Sequence, residues 1–310
     1  MSSVLQPLQR ALQPLQRLLQ QQLDRYFPRW FDWVQLTRID KPVGSYLLLW
    51  PTLWALWIAG EGHPSLANTC IFVLGVFLMR SAGCVINDFA DRDIDGHVKR
   101  THTRPLATGK ITAKEALITF AILIIVAFVL VLFTNPFTVL LSFGGLALAS
   151  LYPFMKRHTH LPQVVLGAAF SWAIPMAFAA QSNELPAVVW LLYIANLSWT
   201  VAYDTVYAMV DRDDDIKIGV KSTAVLFGDM DIVMVATLKG IAVFALLLAG
   251  SQLELSWPYY LALVAGAAFL SWQVWNIRSR ERDICFATFR QSHWFGLIIW
   301  LGLALHYLLT

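Results

Sequence analysis

Two groups of aspartates interrupt an otherwise apolar sequence, and they are the residues best suited to chemistry. The first group reads Asn87-Asp88-Phe89-Ala90-Asp91-Arg92-Asp93-Ile94-Asp95, and the second occupies positions 204–215. Carboxylates beside a bilayer are costly unless they bind a partner. Two facing sets of carboxylates would suit a divalent cation that also binds a highly charged anion, such as a diphosphate.

In the first group, helical spacing places an amide and three carboxylates on one face. At about 100° per residue, a face roughly 100° wide carries Arg80, Cys84, Asn87, Asp88, Asp91 and Asp95. Arg80 lies about two helical turns deeper than Asn87, where a buried arginine requires an anionic partner. That partner is either an aspartate of the second group or the carboxylate of a substrate.

The same spacing selects three aspartates of the second group, because Asp204, Asp211 and Asp215 fall within about 40° of one another. Asp213 points to the opposite side and Asp214 to one flank. Magnesium typically takes one or two protein carboxylates together with phosphate oxygens. Alternatively, both groups are solvated loop acids beside basic residues, but the facial periodicity of two separate groups favours a binding site.

Basic side chains surround both acidic groups. The segment 99–105, which includes Arg104, follows the first group, and Lys217 and Lys221 follow the second. Tyr152 and Lys156 form an i, i+4 pair at the end of an apolar run. Such basic residues can hold phosphate oxygens. Each one alone is better explained as a positive anchor at the cytoplasmic surface, but the set around the acids favours a binding role.

The elements that position these residues are predicted to be membrane-spanning helices. The chain has 310 residues, 57% of them hydrophobic and 14% charged, which is too apolar for a soluble domain. Because a helix needs about 20 apolar residues to cross a bilayer, the sequence predicts an all-α polytopic membrane protein with nine spans around a central cavity. The predicted spans are 43–60, 67–87, 113–133, 136–154, 163–181, 187–210, 234–251, 257–276 and 292–309.

The distribution of Lys and Arg predicts the orientation of the chain. These residues cluster before the first span and in the links after spans two, four, six and eight, whereas the other links carry none. The positive-inside rule then places the N-terminus and both acidic groups on the cytoplasmic side. No secretory signal precedes the first span. The N-terminal arm is acid-poor up to Asp24, as in a mitochondrial transit peptide, but its single serine pair, Ser2-Ser3, argues against one and favours the bacterial inner membrane.

Residues 1–37 are predicted to form a cytoplasmic arm, and residues 38–310 the nine-helix domain. The arm repeats Leu5-Gln6-Pro7-Leu8-Gln9-Arg10 at positions 12–17, which indicates either an amphipathic segment on the membrane or a low-complexity extension. Three cysteines without paired spacing are predicted to be buried thiols in or near the spans, with no disulfide framework and no zinc site. They are Cys70, Cys84 and Cys285.

These motifs resemble the signatures of the UbiA superfamily of intramembrane prenyltransferases. The resemblance rests on Asn87-Asp88-x-x-Asp91-x-x-x-Asp95, Tyr152-x-x-x-Lys156 and Asp211-x-x-x-Asp215, and it extends from about residue 38 to the last span. The stretches at 79–88, 104–106 and 204–208 are most similar to the members that prenylate 4-hydroxybenzoate in ubiquinone biosynthesis.

The resemblance implies a Mg²⁺-dependent enzyme that transfers a polyprenyl group from polyprenyl diphosphate to the ring of 4-hydroxybenzoate, ortho to the hydroxyl. The implied Mg²⁺ ligands are Asn87, Asp88, Asp91, Asp95, Asp211 and Asp215. The implied substrate contacts are Arg80, Arg104, Tyr152, Lys156, Lys217 and Lys221. The implied catalytic residues are Asp91, Asp204, Asp211 and Lys156. The expected partners are the two substrates and the lipid bilayer, with no nucleic acid and no protein partner.

Two other functions stay open at this point. A cation transporter would place its acids along a path through the middle of the membrane, whereas these acids cluster at one face beside Lys and Arg. A related prenyltransferase could instead act on a naphthoate, homogentisate or haem, because the choice of acceptor depends on the shape of the cavity.

Overall fold

The computed structural model of the protein describes residues 21–22 and 24–310, so the repeat predicted in the N-terminal arm lies outside the described residues. No β-strand occurs in the part described, which agrees with the predicted all-α class. The α-helices are α1 Trp30–Thr37, α2 Val43–Ala59, α3 Leu66–Asp91, α4 Ala113–Val131, α5 Pro136–Met155, α6 Pro162–Ser171, α7 Ala173–Ser182, α8 Val188–Ile218, α9 Thr223–Phe227, α10 Asp231–Gln252, α11 Trp257–Asn276, α12 Arg282–Gln291 and α13 His293–Leu309. Short 3-10 turns occupy Asp95–His97, Gly228–Met230 and Ile277–Ser279.

Within the described residues, seven helical segments are long and apolar enough to cross a membrane. They are Leu66–Asp91, Ala113–Val131, Pro136–Met155, Pro162–Ser182, Thr223–Gln252, Trp257–Ser279 and Arg282–Leu309. The other two predicted spans correspond to α2, which has 17 residues, and α8, which has 31. The apolar run of α8 is interrupted by Asn196, Thr200 and Asp204. The chain is an integral membrane protein, and each predicted span coincides with one helix or a consecutive pair.

Local sequence signals set the ends of the helices that carry the polar residues. Thr112 and Glu115 form a capping box at the start of α4, with each side chain satisfying a backbone N–H of the other. Asn135 caps α5, which has Pro136 in its first turn. At the other end of α8, Gly219 adopts the left-handed conformation with φ of 73°, which terminates the helix after the second acidic group.

An aromatic core fixes α2 beside α8 and α13. The rings of Trp54 and Trp199 stack with centroids 6.0 Å apart, and Phe295 packs edge-on against Trp54 at 6.4 Å. The indole N–H of Trp54 donates to the Gly296 carbonyl at 2.9 Å, so its polar atom is satisfied inside the bundle. This packing fixes the position of α2 relative to α8, and both helices line the apolar cavity described below.

The short helix α1 belongs to the packed bundle, although the sequence places it in the N-terminal arm. Its Leu36 is fully buried and packs in a cluster with Val85, Leu106, Ile111 and Ala116. Apolar contacts of this kind hold the chain segment before α2 against α3 and the following loop. The predicted burial of the three thiols is confirmed for Cys84 and Cys285 and is wrong for Cys70, which is exposed on α3.

Candidate active site

A polar cavity of about 150 Å³ lies where α3, α5 and α8 end at the same face of the bundle. Loop residues that follow α3 and α8 close it. The charged and amide side chains that line it are Asn87, Asp91, Asp95, Arg100, Arg104, Lys156, Gln163, Asp204, Asp211, Asp215 and Lys221. The two acidic groups, separated by more than a hundred residues in sequence, therefore share one cavity, as the spacing predicts.

In the first acidic group, the helix ends before its last aspartate. α3 stops at Asp91, and the N–H of Ile94 donates to the Asp91 carbonyl at 2.7 Å in the turn that follows. Asp95 begins a 3-10 turn, so the helical face predicted for it is not formed. It lines the cavity instead because Arg104 binds its carboxylate at 2.8 Å.

Basic side chains pair with the aspartates of the cavity. Lys156 contacts one carboxylate oxygen of Asp91, and Arg100 binds Asp211 at 2.6 Å. The other oxygen of Asp91 is buried and has no hydrogen-bond partner among the described residues. In the same residues, no three His, Cys, Asp or Glu side chains lie close enough together to hold a metal ion on their own.

Asp88 lies in a different environment from the other aspartates. Its side chain is fully buried and receives Arg38 at 2.7 Å and Arg104 at 3.0 Å. It lines a neighbouring apolar cavity and is absent from the lining of the polar one. A carboxylate that binds two arginines fixes the positions of their guanidinium groups. The geometry therefore favours Asp88 as a residue that positions Arg38 and Arg104 over Asp88 as a metal ligand.

The second acidic group divides between two sides of α8. Asp204, Asp211 and Asp215 line the polar cavity, whereas Asp213 and Asp214 pair with Arg282 at 3.1 Å each on the other side. Lys217 is exposed and lines neither cavity, because it lies about 200° around the helix from Asp215. The structure therefore does not bring Lys217 to the site, whereas Lys221, on the loop after Gly219, reaches it.

Burial and neighbouring charges shift the pKa values of the loop residues in the cavity. Burial raises the pKa of Asp95 above its ordinary value, and Asp91 and Asp88 add to this effect while Arg104 opposes it. For Arg104, burial acts to lower the pKa, but Asp88 and Asp95 outweigh it and the pKa is raised. Arg104 is therefore held firmly as a cation at the centre of the site.

An apolar cavity of about 280 Å³ continues from the polar one into the membrane-spanning part of the bundle. The two cavities share the lining residues Asn87, Arg104, Tyr152, Asp204 and Tyr207. The inner walls of the apolar cavity are formed by apolar side chains from the segment between the start of α4 and the end of α7. They include Ile124, Phe128, Val131, Phe143, Leu146, Phe170, Trp172 and Met176. A charged head group and an apolar chain can thus be accommodated at the same time.

Arg80 lines the apolar cavity without an ionic partner. It forms no salt bridge within the part of the chain that the structure describes, and its Nε has no hydrogen-bond acceptor there. Gly44 of α2 leaves the room that the guanidinium occupies, since a Cβ at this position would overlap it. The sequence predicts that Arg80 pairs either with an aspartate of the second group or with a substrate carboxylate. No aspartate forms an ion pair with Arg80 among the described residues, which leaves the substrate carboxylate as the candidate partner.

The comparison with known proteins identifies the family of this chain. The model of the UbiA prenyltransferase family matches residues 48–300. The 4-hydroxybenzoate octaprenyltransferase of Pseudomonas syringae pv. syringae (strain B728a) is 66% identical over 285 residues, which cover 92% of this chain and 96% of that protein. The enzyme of the same name from Pseudomonas aeruginosa (strain UCBPP-PA14) is 60% identical, covering 93% and 97%. The chain belongs to the UbiA prenyltransferase family.

Solved structures show the UbiA fold in this chain. The apo structure of a UbiA homologue from Aeropyrum pernix K1 has a TM-score of 0.73 at 24% identity, covering 82% of this chain and 96% of that one. A UbiA homologue from Archaeoglobus fulgidus, bound to GPP and Mg²⁺, has a TM-score of 0.65 at 18% identity, covering 86% and 99%. The resemblance inferred from the motifs is confirmed.

Some residues of this UbiA site are not evident from sequence. Arg38, Arg100 and Tyr207 contact the charged cluster, and Gly44 makes room for Arg80. Arg100 falls in the basic segment at 99–105, but nothing in the spacing distinguishes it from its neighbours. The acids lie together at one end of the bundle, and Asp91, Asp95 and Asp211 are paired with basic residues, so the structure offers no support for the cation-transporter alternative.

Proposed function

We propose that this UbiA family member transfers a polyprenyl group from polyprenyl diphosphate to the ring of 4-hydroxybenzoate. The observation that carries the proposal is Arg80, a cation without an ionic partner among the described residues, facing an apolar cavity that is continuous with the polar one. An aromatic acid can place its carboxylate at Arg80 while a diphosphate occupies the polar cavity. The names of the Pseudomonas relatives support the same acceptor.

The polar cavity fits a Mg²⁺ ion that is bound together with diphosphate. Its donors are oxygens, and the free buried oxygen of Asp91 is available as a ligand beside Asn87, Asp211 and Asp215. Because these side chains do not form a complete protein cage, phosphate oxygens would supply the remaining ligands, which is the usual mode of Mg²⁺. Bound there, Mg²⁺ would neutralise the diphosphate and ease its departure. The description of the Archaeoglobus relative, with GPP and Mg²⁺, is consistent with this assignment.

The basic residues of the cavity hold the leaving group. Lys156, Arg100, Arg104 and Lys221 line the polar cavity and can donate to phosphate oxygens, as charge-assisted hydrogen bonds of this kind favour developing negative charge. The bond between the allylic carbon and the diphosphate oxygen breaks, and the oxygen keeps the electron pair. The allylic cation left behind lies between the polar cavity and the apolar one.

The acceptor ring attacks from the apolar side. With its carboxylate at Arg80, the ring lies among Tyr203, Tyr207 and Phe289, which line the same cavity. The carbon ortho to the hydroxyl forms the new C–C bond, and the ring then loses the proton from that carbon. Asp204 lines both cavities and has no ion pair among the described residues, so its carboxylate is placed to accept the proton. The apolar walls exclude water, which would otherwise capture the cation.

We infer that the polar cavity faces the cytoplasm of a bacterial inner membrane. The loops after α3 and α8, and the one that carries Arg280 and Arg282, supply Lys and Arg around this end of the bundle. The link between α7 and α8, at the other end of α8, carries Glu184 and no basic residue. This asymmetry is the one that the positive-inside rule describes.

A direct assay tests the proposal. The purified full-length chain in detergent is mixed with Mg²⁺, geranyl diphosphate and 4-hydroxybenzoate, and the prenylated acid is sought by mass spectrometry. We expect product that disappears with EDTA and in Asp91→Ala. Asp93→Ala is the matched control, because Asp93 is 73% exposed and pairs only loosely with Arg92 at 3.6 Å; it should retain activity. Absence of product from folded wild-type protein, also with longer prenyl donors, would disprove the proposed acceptor.

A further inference from the structure

Arg100 bridges the two acidic halves of the site. Its Nε donates to both carboxylate oxygens of Asp211, at 3.1 and 3.0 Å, and its Nη2 donates to one of them at 2.6 Å. A further N–H donates to the hydroxyl of Tyr207, and the guanidinium lies 4.5 Å from the centroid of that ring. Arg100 belongs to the loop after α3, whereas Asp211 and Tyr207 belong to α8, so this contact closes one side of the polar cavity.

The charges of the polar cavity are nearly balanced without any bound ion. Among the described residues, five carboxylates and four basic side chains line it, namely Asp91, Asp95, Asp204, Asp211 and Asp215 against Arg100, Arg104, Lys156 and Lys221. Of the five carboxylates, Asp91, Asp95 and Asp211 are paired with basic side chains, whereas Asp204 and Asp215 form no ion pair among the described residues. Of the basic side chains, Arg100, Arg104 and Lys156 are engaged by carboxylates, and Lys221 contacts only the His158 carbonyl, at 3.5 Å. A metal that uses Asp211 as a ligand, however, has to open the ion pair between Asp211 and Arg100.

Among these ion pairs, that of Arg100 is the one that occupies both oxygens of a proposed metal ligand, Asp211. Lys156 leaves one oxygen of Asp91 free, so a metal can bind Asp91 while Lys156 stays in place. Arg104 is held by two carboxylates, Asp88 at 3.0 Å and Asp95 at 2.8 Å. Arg100 has only Asp211 as a charged partner, but it contacts both oxygens of that carboxylate.

We propose that Arg100 is a counter-ion that exchanges partners during substrate binding: it occupies Asp211 until metal and diphosphate arrive, and it then pairs with the diphosphate. The inference rests on the proposed function for the ligands but adds a specific role for Arg100. The metal alone must compete with Arg100 for Asp211 and binds weakly. Diphosphate offers Arg100 a new anion, so each ligand strengthens the binding of the other, and this coupling is reciprocal.

The test measures metal binding without turnover. Mn²⁺ replaces Mg²⁺ as a paramagnetic probe, and free Mn²⁺ is followed by electron paramagnetic resonance while the purified full-length chain is titrated, with and without inorganic diphosphate. Wild type is compared with Arg100→Gln and with Arg92→Gln. Arg92 is the matched control, because it lies at the start of the same loop, is 41% exposed and, among the described residues, has Asp93 as its one ionic partner.

We expect opposite effects in the two conditions. Without diphosphate, Arg100→Gln should bind Mn²⁺ roughly three- to tenfold more tightly than wild type, because a competing partly buried ion pair has been removed. With diphosphate, the same variant should bind Mn²⁺ more weakly than wild type, and Arg92→Gln should match wild type in both. Tyr207→Phe, which removes one hydrogen bond from Arg100, should shift the diphosphate-free affinity in the same direction by less.

The outcomes separate this inference from the proposed function. If wild type binds Mn²⁺ with diphosphate and forms prenylated acid, but Arg100→Gln and Tyr207→Phe leave the diphosphate-free Mn²⁺ affinity unchanged or weaker, the exchange is disproved and the function stands. Weakening by Arg100→Gln in both conditions would show a purely structural residue and also overturn the exchange. If wild type binds no Mn²⁺ in either condition, the metal site and the inference fail together.

Discussion

Arg80 is a partly buried arginine whose guanidinium can bind a ligand in the apolar cavity. Its guanidinium lines an apolar cavity and has no carboxylate partner among the described residues. Replacement by Gln should raise the KM for 4-hydroxybenzoate roughly 10- to 100-fold, the range expected when a charge-assisted hydrogen bond to a carboxylate is lost. Steady-state kinetics against both substrates would test this, and the KM for the prenyl donor should change little. An unchanged acceptor KM would show that Arg80 does not bind the carboxylate.

Gly44 controls the position of Arg80 from the neighbouring helix. Since a Cβ at residue 44 would overlap the guanidinium, Gly44→Ala should displace Arg80 and raise the acceptor KM about tenfold, while the free energy of unfolding changes by only about 1 kcal/mol. Gly240→Ala on α10 is the control, because an added Cβ there meets no atom within 4 Å. Kinetics and thermal unfolding of both variants separate the two effects. Equal acceptor KM values would contradict the role assigned to Gly44.

Residue spacing predicts which side chains face the site but not which of them contact one another. The 3.6-residue period identifies Asn87, Asp91, Asp211 and Asp215, because their helices run straight through the positions concerned. Arg100 lies in an irregular loop, and the overlap between Gly44 and Arg80 depends on how closely two helices approach. Neither property has a periodic signal, so both require the tertiary structure.

At the scale of elements, α8 is held by an ion-pair cluster on the side away from the cavity. Asp231, at the start of α10, is fully buried and binds Arg212 of α8 at 3.2 Å and Arg280 at 2.7 Å. Asp231→Ala should lower the free energy of unfolding by about 2–4 kcal/mol, because it leaves two arginines without their shared anion. Thermal unfolding in detergent would measure this.

The control for this cluster is Asp213→Ala on the same helix. Asp213 is 72% exposed and has a single partner, Arg282, so its loss should cost less than about 1 kcal/mol. Similar losses of stability for the two variants would show that the Asp231 cluster does not fix α8. The comparison also tests whether the second acidic group depends on this cluster, since Asp211 and Asp215 lie on the opposite side of the same turns.

Hydropathy predicts where the membrane helices lie, but it does not predict where a helix is broken or where it ends. Every predicted span contains a helix, because burial in lipid requires the backbone to be satisfied internally. The break between α6 and α7 at Trp172 and the end of α3 at Asp91 are absent from the prediction. The first lies just before Pro175, which has no backbone N–H to donate to the Ser171 carbonyl, and at the second Arg104 binds the Asp95 carboxylate in the cavity.

For the whole molecule, the inferred orientation predicts which loops a reagent outside the cell can reach. The loops around the polar cavity should be cytoplasmic, and the loops at the other end of the bundle should face outward. On a background in which Cys70, Cys84 and Cys285 are replaced, a single cysteine at His102 should react with a membrane-impermeant maleimide only after the cells are opened. A single cysteine at Glu184 should react in intact spheroplasts. Both residues are exposed, and the orientation follows from the one-sided distribution of Lys and Arg. The reverse pattern would place the polar cavity on the outer side.

The continuity of the two cavities also determines where the products can go. One cavity is lined by charged groups at the end of the bundle, and the other by the apolar walls of α4 to α7. Diphosphate is soluble only in water, whereas an acid that carries a polyprenyl chain partitions into lipid. We therefore expect the two products to leave in different directions, diphosphate from the polar cavity to the aqueous phase and the prenylated acid from the apolar cavity to the bilayer.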